Sequence, residues 1–248
     1  MFLVAELMCT ISLSWAQDKS LATRSKNAVS VVPFVGCESN GQAGSVKAPA
    51  GRSKVVSVPS EAVQRLAYYK AKEGVGVLAP RGWRCFGTYG SDGAALYISP
   101  EPIDDTELLS TSWKGFAGPA IQISAVDGDT SGRFTVAKII ARAFPAHKAI
   151  RRGGDCRRDR PASSFPYGPY PTDKLKYRSE EIVEFWTAPH SQGLGTASRL
   201  QGNDSAISGV AILTGEVPDL IQLSLRLSLK TSDLTQLIVQ QTEREAAR

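Results

Sequence analysis

The chain of 248 residues contains 2 His and 4 Cys, so nucleophilic or acid–base chemistry has few places to sit. Cys85 with His190, held in place by an Asp or Asn, is one arrangement that would serve, because the imidazole takes up a proton as the sulfur attacks. Ser131, in Thr130-Ser131-Gly132-Arg133, is the competing nucleophile for the same His190. Neither carries a G-x-S-x-G flank or another family-specific signature. A hydrolase or transferase using Cys85 or Ser131 with His190 is therefore the alternative reading, and a non-enzymatic protein the first.

Metal and cofactor chemistry finds less support. No His/Cys spacing fits a zinc site. No P-loop or dinucleotide fingerprint occurs, and Gly193-Leu194-Gly195 lacks the third glycine. Asp127-Gly128-Asp129-Thr130-Ser131-Gly132 resembles the opening of a calcium loop, but Lys138 stands where the closing bidentate Glu belongs. The segment reads instead as a strand-to-helix turn capped by Thr130 or Ser131, with a modest capacity for an anion at its free N–H groups. No metal and no cofactor are expected.

Charge is more informative. Lys and Arg number 29 against 24 Asp and Glu, a formal net charge of +5. Residues 142–160 hold Arg142, Lys148, Arg151, Arg152, Arg157, Arg158 and Arg160 against Asp155 and Asp159, so nearly all of the surplus lies there. Guanidinium forks suit phosphate and carboxylate. The adjoining Pro161–Pro171 places Phe165, Tyr167 and Tyr170 among prolines that stiffen the backbone. Arg151, Arg152, Arg157, Arg158, Arg160, Phe165, Tyr167 and Tyr170 thus form a candidate surface for an anionic ligand or an acidic partner protein; nucleic acid is not expected. The competing reading is a solvated basic loop whose rings pack back onto the core.

The first 16 residues are apolar apart from Glu6, and Ser14-Trp15-Ala16 offers small residues at a cleavage site. That is the pattern of a signal peptide over residues 1–16, although no Lys or Arg precedes the apolar run. Residues 17–28 then form a flexible leader, and the expected location is secreted or periplasmic. No run reaches the roughly 18 apolar residues of a membrane span. Without Cys9 the chain keeps Cys37, Cys85 and Cys156, an odd count that allows at most one internal disulfide. Cys37–Cys85 is the preferred pair, with free thiols as the alternative. Asn203-Asp204-Ser205 is a glycosylation sequon, relevant only in a eukaryotic secretory pathway.

The elements that must position these groups follow from periodicity. Strands are expected at 29–35, with Pro33 marking an edge or an end, and at 54–58, 75–78, 83–89, 94–99, 121–126, 181–186 and 206–213. Gly90-Ser91-Asp92-Gly93 has hairpin chemistry. Ala62, Val63, Leu66, Ala67 and Lys70 keep helical spacing between Pro59-Ser60 and Gly74. Further helices are expected at 104–110, at 130–144 with Phe134, Ala137, Ala141 and Phe144 on one stripe, and after Ser232-Asp233. Ile221–Leu229, IQLSLRLSL, alternates strictly, which predicts one buried and one wet face. A half-wet strand belongs in an antiparallel sheet. The expected architecture is α+β: a mainly antiparallel sheet with about three helices packed on one face, as a single domain over 29–248 with a long irregular loop at 151–172.

VPFVGCESNGQ (32–42), LAYYKAKEGVGVLAPRGWRCFGTYGSDG (66–93), TSGRFTVAKIIAR (130–142), PYGPYPTDKLKY (166–177) and GLGTASRL (193–200) together resemble a group of uncharacterised bacterial exported proteins. The resemblance covers most of the chain after residue 16. It implies a single exported domain and brings no activity, cofactor or catalytic residue. The resulting expectation is a binding or interaction protein of the bacterial envelope.

Overall fold

A computed structural model describes residues 28–103, 105–147 and 167–247. Among the described residues, twelve strands form two sheets. The smaller holds β1 (Ala28–Gly36), β3 (Ser53–Val58), β4 (Leu66–Lys70) and β5 (Val77–Pro80), in the order β3-β1-β4-β5. The larger runs β2-β6-β7-β8-β12-β11-β10-β9. Its members are β2 (Ser39–Gly41), β6 (Arg84–Gly90), β7 (Gly93–Ser99), β8 (Ala120–Val126), β9 (Lys174–Tyr177), β10 (Ile182–Thr187), β11 (Ile207–Thr214) and β12 (Asp219–Arg226). All neighbours are antiparallel except β1–β4 and β2–β6. The helices are α1 (Ser60–Val63), α2 (Asp105–Leu109), α3 (Arg133–Ala143) and α4 (Thr235–Ala246).

β1 is an inner strand rather than an edge. Its residues 28–33 pair with β3 and its residues 34–36 pair with β4. Pro33 stands where one ladder ends and the other begins, so its missing N–H interrupts neither. The β6–β7 hairpin turns through Ser91-Asp92, between paired Gly90 and Gly93. The left-handed backbone falls on Gly93, with φ 127°, where a β-carbon would also collide with the carbonyl of Ala125.

The helix expected after Pro59 stops at Val63. Leu66–Lys70 is instead strand β4, and Leu66, Ala67, Tyr68 and Tyr69 are all buried. Tyr69 donates its hydroxyl proton to the Pro80 carbonyl and accepts the Trp83 N–H, which holds the ring inside the core. A segment buried on both faces satisfies helical spacing by accident, because nearly every position is apolar.

One core lies between the small sheet, α4 and one face of the large sheet, and contains Leu96, Ile98, Ile121, Ile123, Leu223 and Leu225. Each such fully buried aliphatic stabilises by about 2 kcal/mol. A second core lies on the opposite face, where Val136, Ile140 and Phe144 meet Val183, Phe185, Leu213 and Leu220. The two long helices therefore cover opposite faces of the large sheet, not one. Of the expected stripe on α3, Ala137, Ala141 and Phe144 are buried, together with Val136, Ile139, Ile140 and Ala143, whereas Phe134 is 47% exposed.

Cys37, just beyond β1, is disulfide-bonded to Cys85 on β6, with the α-carbons 5.5 Å apart. The bond ties the two sheets together. Among the described residues no helix is long and apolar enough to cross a membrane.

Candidate functional site

Strand β12 was expected to bury one face and wet the other. Both faces are covered. Gln222, Ser224 and Arg226 are buried, because the segments 113–119 and 193–201 fold over the sheet at this point. Arg226, only 3% exposed, donates from Nε and Nη2 to the Gly118 carbonyl at 3.1 and 2.7 Å, from Nη2 to Phe116 at 2.8 Å, and from Nη1 to Gln201 at 2.5 Å. Its partners are carbonyls rather than carboxylates, and burial lowers its pKa from the ordinary value. Arg226 thereby fastens both covering segments to the sheet.

Beside this anchor the covering segments stop short, leaving a cleft of about 430 Å³. Its floor is the outer face of β6, β7, β8 and β12. Gln122 is in register with Ser224, and Ser124 with Gln222. Two copies of Gln-x-Ser, Gln122-Ile123-Ser124 and Gln222-Leu223-Ser224, thus lie head to tail and form a polar square. Thr88 and Tyr97 extend it, joined hydroxyl to hydroxyl at 3.4 Å. Tyr89, Asp92, Thr135, Ser198 and Arg199 contribute to the walls. Tyr89 is held by its hydroxyl, which donates to the Gly44 carbonyl at 2.6 Å.

The square is chemically asymmetric. The side-chain oxygen of Gln122 accepts the Arg199 backbone N–H at 2.6 Å, so Gln122 keeps its amide N–H groups for other partners. Gln222 donates its amide to the Leu194 carbonyl at 3.0 Å, so its oxygen remains as an acceptor. Ser224 is 1% exposed, and its hydroxyl has no hydrogen-bond partner among the described residues. A buried, unpaired hydroxyl is unfavourable and calls for a partner. The floor carries amides and hydroxyls but no carboxylate, imidazole or thiol. It can hold and orient a polar molecule, with the Asp92 carboxylate at its wall.

Those residues singled out in the sequence that the structure describes do not converge here. Cys85 is spent in the disulfide, so its thiol is not available to His190. Ser131 shares a hydrogen bond with Ser91 at 3.4 Å. His190 has an acidic partner, Asp204, at 2.7 Å, but these side chains are 66% and 99% exposed. No hydrogen bond joins Ser131 to His190 among the described residues. Arg151, Arg152, Arg157, Arg158, Arg160 and Phe165 lie outside the described residues, as do Cys9, Cys156 and residues 1–16. Tyr167 is exposed. Tyr170 packs against the second core, with the Arg142 guanidinium 4.3 Å from its ring.

The Asp127–Gly132 segment is a strand-to-helix turn. Three of its N–H groups have partners within the protein: Asp127 donates to the Asp92 carbonyl, Gly128 to the Asp219 carboxylate, and Gly132 to the Thr130 hydroxyl. Thr130 thus ties the turn preceding the helix rather than capping the helix itself. Among the described residues no group of three or more His, Cys, Asp or Glu side chains could hold a metal ion.

The polar square was missed because Gln and Ser at alternating positions look like an ordinary wet strand face. The repeated Gln-x-Ser was the available signal. In comparisons with known proteins, no family model, no curated protein and no solved structure matches the chain.

Proposed function

We propose that the chain is an exported, disulfide-braced binding protein that takes a small polar ligand into the cleft over β6, β7, β8 and β12 without catalysing its conversion. The observation that carries this reading is the floor itself: paired Gln122–Ser224 and Ser124–Gln222, with a buried Ser224 hydroxyl left unpartnered. A volume of about 430 Å³ is in the range of small-molecule sites. A polar lining favours polar ligands, since each amide or hydroxyl left unmatched opposes binding. The Cys37–Cys85 bond is compatible with an oxidising compartment, as is the apolar run that opens the chain.

The test is a ¹⁵N-NMR screen of the oxidised protein against a mixed library of sugars, amino acids, polyols and organic acids. Binding at the cleft moves the amide signals of Gly90, Ser124, Ser198 and Arg199 together. A library that leaves these four signals in place overturns the reading.

A further inference from the structure

We infer that the cleft selects an uncharged, polyhydroxylated ligand, a neutral saccharide of about two rings; this rests on the cleft being a binding site. Three features converge on it.

First, the floor presents donors and acceptors side by side. Gln122 offers N–H, Gln222 offers a side-chain oxygen, and Ser224 can do either. A hydroxyl group, which is donor and acceptor at once, satisfies such a mixture. A carboxylate only accepts at neutral pH, and an ammonium only donates.

Second, the floor is uncharged. A charged group pressed onto it would be desolvated without a counter-ion. The charges, Asp92 and Arg199, are exposed residues of the walls and opposite in sign, so they confer no net preference for an ion.

Third, the cleft lies on a sheet face. The strands beneath it are hydrogen-bonded to one another, so their backbones are engaged. An extended peptide binds by adding to a sheet edge and has no such row of partners here. A compact ring needs only side-chain contacts. Ala95 and Ala197 supply apolar patches for its C–H faces.

The experiment is calorimetric titration of the full oxidised chain with maltose, cellobiose and N,N′-diacetylchitobiose. Glucuronate, inorganic phosphate and a capped alanine dipeptide serve as the charged and peptide arms. The expected result is saturable binding of at least one neutral disaccharide, weakened about tenfold by Ser224→Ala. That variant should keep or raise the melting temperature, because it removes an unpartnered hydroxyl. Gln122→Glu retains the acceptor for Arg199 but removes the amide donor, and should abolish disaccharide binding in a folded protein. Binding confined to glucuronate, phosphate or the dipeptide overturns the saccharide assignment and leaves the cleft as a site. So does the absence of disaccharide binding when the NMR screen detects another ligand. Wild-type disaccharide affinity retained by both Ser224→Ala and Gln122→Glu also overturns it.

Discussion

Gln122 on β8 lies directly across from Ser224 on β12, and the Gln122 side chain also receives the backbone N–H of Arg199, 77 positions away in sequence. One residue therefore forms part of the cleft floor and fixes its wall. Replacing Gln122 with Ala should release the Arg199 amide at a cost of about 1 kcal/mol. Hydrogen exchange at Arg199 should quicken while exchange in Ile123 on the same strand stays slow. Unchanged exchange at Arg199 would show that the wall is held by other contacts.

The disulfide should be a major contributor to stability. Cys37 and Cys85 are 48 positions apart, and closing a loop of that length in the unfolded chain corresponds to about 4 kcal/mol in the chain-entropy model. Urea denaturation with and without a thiol reductant measures it. A midpoint insensitive to reductant, with reduction verified by mass, would refute the estimate.

Arg226 is expected to be intolerant of conservative exchange. Lysine keeps the charge but cannot reproduce a planar fork that meets the carbonyls of Phe116, Gly118 and Gln201 at once. Arg226→Lys should lose at least about 3 kcal/mol through unmet buried carbonyls, read by chemical denaturation. A loss under about 1 kcal/mol would mean that the covering segments do not depend on this anchor.

Glu243 on α4 makes stability depend on pH. Burial, and next the neighbouring Glu184 of β10, raise its pKa from 4.5 to about 7, against the opposing pull of Arg178 and Lys176. Arg178 pairs closely with Glu184 and lies 4.0 Å from Glu243, while Lys176 lies 3.5 Å from Glu184. The folded state thus holds a proton that the unfolded chain has already released. The stabilisation is fully present below pH 4.5 and is lost as pH rises through about 7. Comparing urea midpoints at about pH 5 and about pH 8 should show the wild type losing more stability on the alkaline side than Glu243→Gln. Parallel profiles for the two proteins would remove Glu243 as the cause.

Strand positions were readable wherever a single pattern dominated. The stretches containing β3, β7, β8 and β11 stand where apolar runs and turn residues place them, and the Ser91-Asp92 hairpin follows from its glycines. Leu66–Lys70 misled because burial on both faces erases the periodicity that separates strand from helix. Strand β9 escaped because Lys174-Leu175-Lys176-Tyr177 contains one aliphatic residue. The cleft was least legible. Its floor residues are of types that normally face water, and only the long-range cover provided by Phe116, Gly118, Leu194 and Gln201 turns Gln222, Ser224 and Arg226 inward. Local sequence holds no record of what folds over it.

The central placement of β12 ties the cleft floor and the core to a single alignment. Its odd-numbered residues Leu223 and Leu225 face the core, and its even-numbered Gln222 and Ser224 face the cleft. A slip of one residue would exchange the two sets, driving amides into hydrocarbon and laying leucines across the cleft floor. A substitution in this strand therefore disturbs core and cleft together, whereas the walls, at Arg199, Ser198 or Thr135, lie off the β12 ladder and can change without shifting it.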